Sequence, residues 1–388
     1  MTEKIYKLLK DSPAMRWTAL VLLASAMFFA YMFVDILSPL QAMLQETKGW
    51  DPAAYGTYQG SETFLNVFVF FLIFAGIILD KIGVRNTALL SGALMVIGAY
   101  LKYWAVSDGF TGGATDEYLK NFWNFFPFYE GFMIFGCGVE MAGITVSKGI
   151  VKWFKGKEMA LAMGLEMAIA RIGVAAAVLI SPAIANMGGV KDVSRSVLFC
   201  VILLLIGFIA FCVYFVMDKK LEKQMGESGE EPEEPFQIKD LGLIFSSKVF
   251  WIVALLCVLY YSAIFPFQKY AINMLQCNLD FTAEKAGMIF SVFPLGAAAI
   301  TPLLGNFLDR KGKGASMLIY GAFLMIICHL AFALALPALK GSIAGPIVAF
   351  TSIVLLGISF SLVPAALWPS VPKLVDNRLL GSAYAVIF

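Results

Sequence analysis

The chain has 388 residues, 60% hydrophobic and 14% charged, with a mean hydropathy of +0.80 and a formal net charge of +2. A soluble fold has no use for so much apolar surface, so the composition points to an all-α polytopic membrane protein. A charge balance so near zero excludes a chain-wide basic field for nucleic acid. The six cysteines (Cys137, Cys200, Cys212, Cys257, Cys277 and Cys328) are scattered, with neither a disulfide framework nor a metal-type spacing.

The N-terminal MTEKIYKLLKDSPAMRW is basic and leads into an apolar stretch too long for a signal peptide, with no cleavage site standing out. At a rise of about 1.5 Å per residue across about 30 Å of hydrocarbon, ten spans are predicted: 16–43, 52–79, 86–107, 125–151, 158–186, 194–217, 248–275, 283–308, 314–336 and 344–371. An eleventh apolar run starts near Leu379 and stops at Phe388, which predicts a chain truncated in its eleventh helix. Residues 218–240, DKKLEKQMGESGEEPEEPFQIKD, are charged, Gly- and Pro-containing and aperiodic, so they read as solvated. The expected organisation is an N-terminal six-helix bundle over 1–217, a cytosolic linker over 218–247 and an incomplete C-terminal bundle over 248–388.

Basic residues gather on one side of these spans, among them Lys4, Lys7, Lys10, Arg16, Lys81, Lys148, Lys152, Lys155, Lys157, Lys219, Lys220, Lys223 and Lys311. The opposite loops hold Lys48, Lys120, Lys191, Arg195, Lys285 and Lys340, with Lys102 at a helix end. The asymmetry predicts a cytoplasmic N-terminus. No N-x-S/T sequon occurs, and the expected location is a bacterial inner membrane.

A loop motif recurs. GIILDKIGVR (76–85) follows the second span and GNFLDRKGKG (305–314) follows the eighth, aligning Gly76, Asp80 and Gly83 with Gly305, Asp309 and Gly312. The glycines permit a tight turn, while Arg85 and Arg310 sit with the carboxylates at the headgroup boundary. The GxxLDxxGxR loop, its echo and the six-linker-six layout resemble the major facilitator superfamily along the whole chain. That resemblance implies two six-helix bundles with substrate held between them near midplane. It also implies that Asp80 locks the halves by engaging the start of the eleventh helix, with Asp309 as its counterpart. KWFKGKEMALAMG (152–164), YYSAIFPFQKY (260–270) and SLVPAALWPSVPKLVDNRLLGSAYAVIF (361–388) are similar to the branch containing the lysosomal dipeptide transporters and their bacterial relatives.

An ionised group near a span centre costs about 2.5 to 3.5 kcal/mol unless it meets water or a partner. The candidates are Asp35, Glu62, Glu140, Glu166, Arg171, Lys269 and the lone His329. Counted from the cytosolic ends of spans four and five, Glu140 lies about 18 Å up and Arg171 about 20 Å up, with Glu166 at about 12 Å. Two opposite charges are therefore level, and Arg171 is better matched by Glu140 than by Glu166, five residues away. Either they form a bridge that only staples two helices, or they line the path, with Arg171 gripping a substrate carboxylate and Glu140 a substrate ammonium. The resemblance to the dipeptide-carrying branch likewise implies a carboxylate on span four and an arginine on span five that recognise the peptide termini, and Glu140 and Arg171 are the positions that match. Asp35 and Glu62 read as gate or proton sites, or as vestibule groups without a task. Lys269 pairs across the halves, reaches the substrate or snorkels. His329 reads as a core residue, and no metal site is expected.

The expected function is secondary transport of a small zwitterionic or anionic solute, short peptides foremost, by alternating access. A proton-coupled organic acid symporter of the same fold is the alternative. An enzyme is not expected: no nucleophile–base set, HExxH or GxxxxGK[ST] is present, so neither cofactor nor catalytic residue is assigned. The expected partners are substrate, a proton and membrane lipid, with the protein a monomer.

Overall fold

The structure is a computed structural model that describes residues 8–107, 125–227 and 241–387. Among these residues every regular element is helical, and nine helices are long and apolar enough to cross a bilayer. In chain order the α-helices are α1 (Pro13–Asp35), α2 (Gln41–Lys48), α3 (Pro52–Phe68), α4 (Phe71–Val106), α5 (Phe125–Phe154), α6 (Met159–Ala185), α7 (Val193–Glu227), α8 (Leu241–Phe245), α9 (Lys248–Leu279), α10 (Ala283–Lys311), α11 (Gly314–Leu330), α12 (Ala344–Leu367) and α13 (Leu380–Ile387). A π turn (Ala331–Ala335) extends α11, and a 3-10 turn (Trp368–Lys373) extends α12.

Local chemistry sets several helix ends. Asp51 caps α3 by accepting the Ala54 amide at 2.7 Å, with Pro52 in the first helical position, where its missing N–H costs nothing. Thr282 does the same for α10, accepting from the Lys285 amide at 3.3 Å. At the other end of α10, Gly312 takes φ +66° and its amide closes on Leu308 O at 2.8 Å.

Three segments depart from the sequence expectation. The second span, expected as one rod over 52–79, is broken: α3 ends at Phe68, and Phe70 takes a left-handed φ of +56° before α4 begins. The third span then follows without a loop, because the turn is made by Gly83 alone, at φ +80° and ψ 166°. Only glycine adopts that backbone without penalty. Finally, 218–227 is not solvated linker but the last turns of α7. The Asp218 side chain is fully buried there, accepting from Lys152 Nζ at 2.7 Å, Trp153 Nε1 at 3.1 Å and Tyr214 Oη at 3.3 Å. Glu222 adds Lys152 at 2.9 Å and Arg85. Charge density alone does not separate a helix end paired with its neighbours from a free linker.

In the first group of helices α1 packs on α6 and α7, and α4 packs on α5 and α7. In the second, α12 packs on α10 and α11. The groups meet mainly where α6 packs against α10 and α4 against α13, with a smaller contact of α9 against the 3-10 turn Ser38–Leu40, and these contacts form one seam between them. Gly76 makes the α4–α13 contact possible, since a Cβ there would stand 2.5 Å from Ala385 Cβ. Large apolar side chains such as Ile252, Leu255 and Leu259 on α9, and Ile319, Phe323 and Ile326 on α11, face outward, as a lipid-facing belt requires.

Candidate substrate cavity and the helix seam

A cavity of about 460 Å³ lies between the two groups, within the range of about 300–1,000 Å³ usual for small-molecule sites. Asp35, Glu62, Glu140, Glu166, Arg171 and Lys269 all line it, so every sequence-predicted binding or gating residue reaches one space. Helix breaks help to position them. α1 stops at Asp35 and a 3-10 turn (Ser38–Leu40) follows, with Ser38 Oγ donating to Asp35 Oδ1 at 3.2 Å. Pro266 lies inside α9, three residues before Lys269.

The Glu140–Arg171 bridge, one of the two alternatives the sequence left open, is not formed among the described residues. Arg171, 7% exposed, reaches across the α6–α10 seam instead. Its guanidinium donates to Ala297 O at 3.2 Å, to Thr301 Oγ1 and to Phe360 O at 2.9 Å, and lies 4.4 Å from the centroid of the Phe360 ring. The reason is topological. α5 and α6 are consecutive but touch little, whereas α6 is packed between α1 and α10. Equal height on successive helices therefore did not make neighbours. All three acceptors are uncharged, so the arginine's charge is not neutralised by the contacts that hold it. Glu140 and Glu166 have no ion pair or hydrogen bond among the described residues.

Lys269 pairs across the groups, the first of the alternatives the sequence left open. Its ammonium lies 3.0 Å from Asp35 Oδ1, 3.8 Å from Glu62 Oε2 and 3.5 Å from Val34 O. Lys102, expected at a helix end, is instead fully buried inside the first group.

At the opposite end of the seam Asp80 is buried where α4 meets α13. It accepts from the Gly381 amide at 3.1 Å, the Ser382 amide at 2.8 Å and Ser382 Oγ at 2.7 Å, and pairs with Lys148 at 2.5 Å. First-turn amides of a helix have no intrahelical acceptor, so a carboxylate from another helix caps α13. Of the other motif residues, Arg85 pairs with Glu222 and stacks on Phe215, while Arg310 is exposed. The Asp309 side chain lies outside the described residues. His329 bonds Met325 O through Nδ1 at 2.9 Å and packs on Phe267 and Phe332, and no metal-ligating cluster exists among the described residues.

Sequence reasoning missed the aromatic lining, Tyr31, Tyr261, Phe360 and Trp368, and the carboxamide of Gln59. Inside apolar spans these residues look like ordinary core or interface residues, and no spacing rule separates them from packing.

The chain is 26% identical over 365 residues to the lysosomal dipeptide transporter MFSD1 of Danio rerio, covering 92% of this chain and 73% of that protein. Against the Homo sapiens protein of the same name it is 26% identical over 383 residues, covering 96% and 76%. Against the Bos taurus protein it is 26% identical over 385 residues, covering 96% and 75%. Residues 23–388 match the profile of the Major Facilitator Superfamily. With its helical membrane architecture and a match over nearly its whole length, the chain is a multi-pass membrane transporter, not an enzyme, and belongs to the Major Facilitator Superfamily.

Proposed function

We propose that the protein carries short peptides, or closely similar small zwitterions, across a membrane by alternating access, the α1–α7 and α9–α13 groups acting as the two rocking halves. The observation that carries this reading is the charge layout of the cavity. Arg171 is held only by uncharged acceptors, and Glu140 and Glu166 stand in the same space without partners among the described residues. A peptide's carboxylate replaces the carbonyl and hydroxyl acceptors of Arg171 with a charged, bidentate one, and its ammonium takes Glu140 or Glu166. Because Arg171 is bonded to α10 and α12, substrate binding would exchange a contact between the halves for a contact to substrate and loosen the seam. The 26% identity to proteins named lysosomal dipeptide transporters supports the peptide assignment. The basic-residue asymmetry supports a cytoplasmic N-terminus, and we place the protein in a bacterial inner membrane.

Uptake of labelled dipeptides into proteoliposomes tests this. Arg171→Ala removes an interaction of about 3 kcal/mol and lowers uptake about 100-fold in a folded protein. Unchanged uptake removes the assigned role. A second reading, proton-coupled symport of organic acids, is favoured by the two partnerless glutamates. It requires accumulation driven by a pH gradient and organic acids competing better than dipeptides.

A further inference from the structure

Lys102 stands four residues before the end of α4, fully buried, and the transport reading above does not use it. Its ammonium has no hydrogen-bond acceptor among the described residues. Three rings surround it instead, with centroids 3.7 Å (Phe132), 4.5 Å (Phe33) and 5.4 Å (Tyr58) away. Burying an ammonium is costly, and desolvated cation–π contacts return only part of that cost. Aromatic faces alone are a poor home for this charge.

The backbone of an acidic residue, Glu62, packs one helical turn along α5 from this cage. Phe132, against which Lys102 rests, is followed on α5 by Gly136, where the α3 backbone presses so closely that a Cβ would lie 1.8 Å from Glu62 O. Four residues of helix separate those two points, about 6 Å. Tyr58, a further wall of the cage, is one turn before Glu62 on α3. Lys102 therefore lies behind Glu62. Glu62 and Lys269 line the cavity, while Lys102 does not. Glu62, Asp35, Lys269 and the Cys200 thiol are among the ionisable groups within electrostatic reach of Lys102.

Glu62 thus has one lysine in front of it, and its backbone packs against the helix that cages a second. The one in front, Lys269 at 3.8 Å, belongs to the other group of helices and must leave if this end of the seam opens. The one behind belongs to Glu62's own group and moves with it. We propose that Lys102 is a resident counter-cation for Glu62, holding that carboxylate when Lys269 withdraws, so that the cross-seam bridge opens without stranding a buried anion. Lys102 is a positioning residue on this account, acting on substrate only through Glu62. The proposal rests on alternating access and not on the substrate being a peptide.

The test imitates the open bridge with Lys269→Met and needs no substrate. Thermal unfolding of the purified full chain is followed by tryptophan fluorescence in four proteins: K269M, K269M/K102M, K269M/E62Q and K269M/K102M/E62Q. Loss of Lys102 is expected to lower the midpoint by about 5 °C or more when Glu62 is present and by much less in the E62Q background. K269M/K102R, which keeps the charge, is expected to stay near K269M. Failure of K269M/K102M to fold, with E62Q restoring it, supports the proposal equally. An equal loss with and without E62Q, no loss at all, or failure of both Lys102→Met proteins to fold makes Lys102 a packing residue and overturns it. Dipeptide uptake enters none of these outcomes, so failure of the peptide assignment leaves the result intact.

Discussion

The two ends of the seam are fastened by opposite chemistry. Near the Gly83 turn Asp80 crosses the seam to uncharged groups, two backbone amides and a hydroxyl, while its counter-cation Lys148 comes from its own half. At the other end Lys269 crosses the seam as a bare charge onto Asp35 and Glu62. When the first fastening opens, Asp80 keeps its lysine and the amides of α13 must find water. When the second opens, two carboxylates lose their cation. The first is thus a cap that separates cleanly, and the second is an ion pair that needs charge compensation from elsewhere.

Asp80→Ala strikes the first fastening hardest, because it leaves Lys148 without an anion and three donors without an acceptor. A destabilisation of about 3 kcal/mol is expected, and a drop in unfolding midpoint comparable to that of a conservative core change would break the comparison. Lys269→Met comes next. It leaves Asp35 and Glu62 without the cation they share, with a cost of about 2 kcal/mol that Asp35→Asn partly restores. If D35N/K269M melts no higher than K269M, charge is not what the second fastening supplies. Ser382→Ala sharpens the first half of the comparison: one neutral hydroxyl is lost while both amides remain, for about 1 kcal/mol. A loss as large as that of Asp80→Ala would mean that the hydroxyl, not the amide pair, holds α13.

The smallest effect lies outside the membrane. Lys157 donates to Asp11 and holds its carboxyl below the usual carboxylate range. Because the folded value is the lower one, the pair stabilises the protein at neutral pH, and that contribution is lost as pH falls through the carboxylate range. Both side chains are about a third exposed, so less than about 1 kcal/mol is at stake. Asp11→Asn is expected to melt within about 2 °C of the parent at pH 7, with the gap closing below about pH 4.

Much of this was legible in order and composition. Runs of apolar residues specify helices in lipid because a bilayer offers backbone groups no other partner, and Gly83 and Gly312 marked turns because only glycine enters positive φ freely. Buried charge is costly enough that Glu140, Glu166 and Arg171 pointed to a polar cavity, and the structure lines one space with them and with Asp35, Glu62 and Lys269, whose place the sequence had left open. What sequence could not determine was which charge meets which. Height along a span follows from counting residues at about 1.5 Å each, but azimuth and neighbour depend on how helices far apart in the chain pack. So Arg171 went to Ala297, Thr301 and Phe360 rather than to the level Glu140. Lys102, counted as a helix-end residue, turned inward to Phe33 and Phe132, and Asp218, counted as linker, was buried by Lys152 and Trp153. Covalent order determines what each helix contains and how deep it lies. Tertiary packing alone decides which faces meet, because the deciding contacts join residues as distant as Lys152 and Asp218, 66 positions apart, or Asp80 and Ser382, 302 apart.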